Sequence, residues 1–138
     1  MTTESNALFV RNAIEVAWNT SGNFHAWRDF VTSGYVHHVF NGVTDIEGWL
    51  AGAGGLTAAF SEIKYEIRSV LADGEQVSVH FTQTAKQTGA LGPQPATGKL
   101  LRTTGAFFCR MEEGKIAEDW EVWMALPVVR QLIAQAAT

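Results

Sequence analysis

Cationic side chains are scarce in this sequence: Lys and Arg number 10 in 138 residues, against 14 Asp and Glu, for a net charge of −4. No basic run breaks that pattern. The chain therefore lacks the electrostatic footprint of a nucleic-acid-binding domain and the polybasic tract that holds a protein to an anionic membrane. Cysteine occurs once, as Cys109, which excludes an internal disulfide and a cysteine-cluster zinc site and fits a reducing, cytoplasmic setting. No apolar run is long enough to span a bilayer, and the opening MTTESN has neither the basic nor the apolar region of a secretory signal. Internal repeats, low-complexity tracts and linkers are also missing, so residues 1–138 read as a single domain. What the chain does have is apolar bulk: 46% of residues are hydrophobic, with five Trp and eight Phe, ample for a core.

Periodicity divides the chain into helices first and strands later. From about Ser5 to Trp18 the apolar positions Val10, Ile14, Ala17 and Trp18 share one helical stripe, widened by Phe9, Ala13 and Val16. A short second helix is expected from Phe24 to Val31, ended by Ser33-Gly34, and Tyr35 to Phe40 reads as a short strand. Thr44-Asp45-Ile46-Glu47 has the capping-box form, with Thr44 as N-cap. The helix it opens places Ile46, Trp49, Leu50, Ala53, Leu56 and Phe60 on one side, and Gly52, Gly54 and Gly55 predict a bend or interruption. Three long strand candidates follow: Glu62–Leu71, Gln76–Thr88 after the turn Ala72-Asp73-Gly74-Glu75, and a hairpin over Leu101–Met124. Gly89–Gly98, with two of the three prolines, is a loop, and Pro127 suits the first turn of a closing helix carrying Val128, Val129, Leu132 and Ile133. Helices followed by a run of antiparallel strands predict an α+β fold, with the helices on one face of the sheet. Such a sheet is expected to curl strongly, leaving a cone with an internal pocket.

The hairpin Leu101–Met124 concentrates the chemistry. Its turn, Met111-Glu112-Glu113-Gly114-Lys115, puts glycine where a left-handed backbone is needed. Along the second strand Asp119, Glu121 and Trp123 fall on one face. Acids set among tryptophans read in two ways: a solvated face, or a carboxylate in an apolar cavity whose pKa rises toward that of a general base. Asp119 shares the face, and reads as a rim residue, as the base itself, or as a like charge that keeps Glu121 protonated. His37 and His38 are adjacent on a strand and point to opposite sides, with His37 taken as the inward one, able to polarise a ketone. Adjacent strand residues do not converge on one ion, so no metal site is expected. His80 reads as sheet exterior and His25 as a surface residue. Tyr35, Trp18, Trp27, Trp49, Phe107 and Trp123 are candidates for an aromatic slot that binds flat rings, each of them also suited to ordinary core packing.

Four segments resemble the SnoaL-like polyketide cyclases, within the superfamily that includes nuclear transport factor and ketosteroid isomerase. Asp73-Gly74 with Val77-Ser78-Val79 is similar to the family's GD-x-V-x-V. Thr88-Gly89 with Pro95-Ala96-Thr97-Gly98-Lys99 is similar to H-T-G … P-P-T-G-K/R. Arg110 with Gly114-Lys115-Ile116-Ala117-Glu118-Asp119-Trp120 is similar to R-x-x-D-G-K-I-x-E-H-W, and Gln131-Leu132 to the terminal Q-L-G. The resemblance covers nearly the whole chain. It implies acid/base chemistry without metal or organic cofactor, closing a polyketide ring by intramolecular aldol condensation. The family's catalytic Asp corresponds to Glu121, whose longer arm moves the carboxylate by about one bond. A family His falls on Phe107, a family Asn on His37, and the acid that often ends the signature strand on Met124. The implied partner is a hydrophobic aromatic small molecule. Met124, Val122 and Trp120, on the outward face, imply a homodimer or homotetramer. Competing functions on the same residues are a cofactor-free hydroxylase, dehydratase or isomerase, a non-catalytic binding protein, and a structural dimerisation module.

Overall fold

A computed structural model describes residues 2–19, 23–39 and 42–123. The first helix, α1 (Thr3–Ala17), starts with a reciprocal pair: Thr2 and Ser5 each accept a hydrogen bond from the other's backbone N–H. Val10, Ala13, Ile14 and Ala17 are buried along the expected stripe, joined by Asn6. A 3-10 helix (Phe24–Phe30) follows and buries Trp27. Strand β1 (Val31–Val39) begins at once and runs through Ser33-Gly34, where the sequence suggested a break. Gly34 is exposed, with open space where a Cβ would lie, so its missing side chain takes no packing from the strand. The local cost is a register shift between Val31 and Val36.

Strand β2 (Gly42–Thr44) pairs back on β1, and helix α2 (Ile46–Ala59) opens after it. Its N-cap is Asp45, not Thr44: the Asp45 carboxylate accepts the Gly48 N–H at 3.0 Å, while Thr44 ends β2. Despite four glycines, Gly48, Gly52, Gly54 and Gly55, α2 is continuous. Each glycine costs about 1 kcal/mol. Burial of Trp49 and Leu50, backed by Ile46, Ala53 and Leu56, offsets that at about 1.5–3 kcal/mol per large side chain.

Four long strands complete the described chain: β3 (Phe60–Asp73), β4 (Gln76–Gln87), β5 (Leu100–Glu112) and β6 (Lys115–Trp123). The β5–β6 turn has positive φ at both Glu113 (50°) and Gly114 (78°), as a two-residue hairpin turn requires. The sheet order is β2-β1-β6-β5-β4-β3. All pairings are antiparallel except β1 with β6, which is parallel and makes the sheet mixed. The sequence expectation of an antiparallel sheet is corrected on this point. Alternation of side chains reports which face a residue takes and is blind to the direction of the neighbouring strand. The helices pack on one face, α1 against β3 and β4, α2 against β1 and β3. That inner face carries Val77, Val79, Phe81, Gln83 and Ala85 from β4, and Leu101, Phe107, Cys109 and Met111 from β5, all buried. Among the described residues no helix is long and apolar enough to cross a membrane. Met124 and the expected closing helix lie outside the described residues.

Candidate active site

The parallel pairing of β1 with β6 builds the site. It sets His37 beside Asp119 and Val39 beside Glu121, while β5, on the other flank, sets Phe107 beside Glu121 and Gly105 beside Trp123. Asp119 is fully buried, at 0% exposure, and does not sit on a rim. An isolated carboxylate there would be prohibitively costly, and two donors compensate it. Tyr35 Oη donates to Asp119 Oδ2 at 2.5 Å, and His37 Nδ1 lies 2.5 Å from Asp119 Oδ1. Trp27 Nε1 donates to Tyr35 Oη at 3.2 Å, and Trp27 stacks on Trp49 with ring centroids 5.2 Å apart. The result is one chain of contacts from the α2 aromatic layer through Trp27, Tyr35 and Asp119 to His37. With Nδ1 committed to Asp119, Nε2 is the imidazole atom left for other chemistry.

Glu121 lies one inward position further along β6, half-buried, and its Oε2 accepts a hydrogen bond from Trp123 Nε1. Burial raises its carboxyl from the ordinary 4.5 to about 7, against the Trp123 hydrogen bond and the His37 charge, with Asp119 adding to the rise. Burial also raises Asp119, opposed by its bonds to His37 and Tyr35. For His37 burial pulls the pKa down, but the bond and charge of Asp119, with the charge of Glu121, win and hold it above 6.5. The arrangement thus offers a carboxylate that takes up a proton near neutrality, next to an imidazole held by its own buried counter-ion. That is the equipment for proton transfer at a carbon acid. Among the described residues no group of three or more His, Cys, Asp or Glu is placed to hold a metal ion.

The other sequence candidates separate by depth. Trp18, Trp27, Trp49, Tyr35 and Phe107 are all buried, and Trp123 is half-buried. Trp18 lies at the centre, with ring centroids 5.0 Å from Tyr65, 5.3 Å from Phe107, 5.5 Å from Trp27 and 5.9 Å from Phe81. Tyr65 was missed by sequence reasoning. It is buried, accepts from Gln83 Nε2 at 2.9 Å, packs on Trp123 and feels the Glu121 charge. Its inward position in β3 was legible, but its link to Glu121, three strands away, was not. His38 takes the outer face, where Nε2 lies 2.8 Å from Glu118 and the ring stacks on Trp120. Arg110 pairs with both Glu112 and Glu118. A cleft of about 300 Å³ is lined by Asn19, Lys64, Tyr65, Glu66, Thr82, Thr84 and Arg102. Five of these belong to the outward alternation of β3, β4 and β5, and neither Glu121 nor His37 lines it, so it is not the expected internal hollow.

Comparison with known proteins places this architecture. No curated protein sequence matches the chain significantly. Among solved structures, AclR of Streptomyces galilaeus, a candidate hydroxylase, superposes with a TM-score of 0.88 at 20% identity, covering 96% of this chain and 83% of its own. A SnoaL-like candidate polyketide cyclase from Jannaschia sp. CCS1 gives 0.85 at 20% identity, covering 94% and 92%. A candidate polyketide cyclase from Acidithiobacillus ferrooxidans gives 0.80 at 24% identity, covering 98% and 99%. At these identities the likeness establishes the fold alone. The sequence model of the SnoaL-like polyketide cyclases matches residues 8–132, and with helices on one face of a six-stranded mixed sheet to support it, the chain belongs to that family.

Proposed function

We propose that this protein is an acid/base enzyme that acts on a polyketide or related aromatic ketone without a cofactor, closing a ring by intramolecular aldol condensation. The observation that carries the reading is the placement of Glu121 on the inner face, beside a His37 anchored by buried Asp119. Glu121 takes a proton from a carbon next to a carbonyl. The enolate carbon so formed attacks a second carbonyl of the same molecule, making the new C–C bond, and His37 Nε2–H gives its proton to the resulting alkoxide. Glu121 then releases the proton it took to solvent, and His37 takes one up, which restores both groups. Asp119 does not touch substrate in this scheme; it and Tyr35 hold the imidazole in place and balance its charge. The half-buried Trp123 and the aromatic layer behind it provide the apolar wall for flat rings.

Hydroxylation, dehydration or isomerisation in the same site would begin with the same proton abstraction, so product identity separates them. The setting is cytoplasmic. A second copy covers the outward face of β5 and β6, where Phe108, Trp120 and Val122 stand exposed. The decisive experiment is turnover of polycyclic polyketide ketones by wild type and Glu121→Gln. The expected result is a kcat lower by about 10²–10⁴-fold with KM little changed. Full turnover by the variant would remove Glu121 as base, and a ligand bound with no turnover by wild type would leave a binding protein.

A further inference from the structure

Among the described residues, two buried polar side-chain atoms have no hydrogen-bond partner: Asn6 Oδ1 and Trp18 Nε1. Asn6 belongs to a structural contact, since its amide donates to Gly74 O at 3.0 Å and ties α1 to the β3–β4 turn. Trp18 has no such explanation. A buried N–H without an acceptor is rare enough to need one. Its position is tightly fixed. The Trp18 backbone N–H closes the last turn of α1 on Ile14 O at 2.8 Å, and the next residue, Asn19, accepts the Tyr65 N–H at 2.5 Å, pinning the helix end to β3. The indole packs against Tyr65 and Phe107. Phe107 is the β5 neighbour of Glu121, and Tyr65 packs on Trp123, which holds the Glu121 carboxylate. An unused, rigidly held donor therefore lies one side chain away from the proposed base, among the aromatic rings that a flat ligand would part.

We propose that Trp18 Nε1–H is the hydrogen-bond donor to the substrate oxygen, the ketone oxygen in the bound state and the enolate oxygen once the neighbouring carbon has lost its proton. The inference rests on the reading of Glu121 as the base and adds to it the group that stabilises the charge the base creates. A donor fixed by a helix end and shielded from water is suited to that task, because it needs no reorganisation when the charge appears. It also narrows the substrate class: a flat aromatic ketone whose oxygen points to the α1 side of the sheet while the acidic carbon faces β6.

Two measurements test it. The five tryptophans give separate indole N–H signals in a nitrogen-15 correlation spectrum, assigned by Trp→Phe variants. 2-Naphthol serves as the probe, its oxygen standing in for the enolate, and naphthalene as the probe without oxygen. The expected result is that both move the Trp123 signal, and only 2-naphthol moves the Trp18 signal downfield. If 2-naphthol moves Trp123 and leaves Trp18 unmoved, the donor assignment fails and the site stands. If neither probe moves either signal, the inner face holds no aromatic ligand, and the proposed function falls together with the inference. In the second measurement, benzothienylalanine at position 18 keeps the ring shape and deletes the N–H. It should lower kcat on the polyketide ketone about a hundredfold with KM little changed. Unchanged kcat, with Glu121→Gln inactive in parallel, would overturn the donor role alone.

Discussion

Burial holds the Glu121 pKa up at about 7, and this has opposite consequences for catalysis and for stability. The base form exists above its pKa, so kcat/KM should climb as pH rises toward about 7 and fall at higher pH as His37, held above 6.5, loses the proton it donates. For stability, the folded chain keeps a proton between 4.5 and about 7 that the unfolded chain has released. The native state then binds more protons than the unfolded state, so unfolding free energy falls as pH rises through that window. His37 and Asp119 are also raised and act in the same direction. At about 1.4 kcal/mol per unit, the Glu121 contribution is on the order of 3–4 kcal/mol. Denaturant titrations at pH 5 and pH 8 should show wild type less stable at pH 8, with the difference smaller in Glu121→Gln. An identical pH dependence in the two proteins would mean that the carboxylate is not buried as described.

The strands β5 and β6 show how much a single backbone position controls at the level of the element. Gly105 pairs with Trp123, and a Cβ there would lie 2.6 Å from Val122 O and 2.7 Å from Phe81 Cζ. Phe81 packs on Trp123 at 5.2 Å, and Trp123 holds Glu121. Gly105→Ala must displace either the β6 backbone or that ring pair. The expected cost is about 1–3 kcal/mol in thermal or chemical unfolding, together with reduced kcat. Gly52→Ala, in α2 where a Cβ meets nothing within 4 Å, is the contrast, expected to gain up to about 1 kcal/mol. If both alanines behave alike, the close approach at Gly105 is not what the geometry says. The shared face of Asp119, Glu121 and Trp123 was legible in the sequence because a strand repeats every two residues; that it points inward was not. The partner of Asp119 was not. His37 reaches it only through a parallel pairing between strands some 80 residues apart in the chain, and no local pattern encodes that.

At the scale of the whole molecule, the described helices pack on one face of the sheet, and among the described residues the other face presents exposed apolar side chains. On that outer face Phe108 pairs with Trp120 and Ala106 with Val122 across the two central strands, and Phe108, Trp120 and Val122 are each about 40–55% exposed. The proposed second copy would lay the same strip against this one, apolar side chains meeting apolar side chains. Val122→Arg, with a charge in that strip and no contact with Glu121's face, should shift the species seen by sedimentation velocity from dimer or tetramer to monomer while turnover per chain persists. A wild-type chain that sediments as a monomer at micromolar concentration would remove the interface.

Periodicity by itself determined that this chain folds as helices on one face of a sheet and that the acids of β6 share one face with Trp123, and four motif segments by themselves pointed to one family. Those properties are local: they follow from which side chains recur every two or every 3.6 residues. The tertiary structure decided what the acids do. The parallel meeting of β1 and β6 gives Asp119 to His37 and Tyr35, burial raises the Glu121 pKa, and the packing of α1 on the sheet leaves the Trp18 indole N–H without a partner among the described residues. The physical reason is that hydrogen bonding and desolvation depend on neighbours brought from distant parts of the chain, which a linear pattern does not specify.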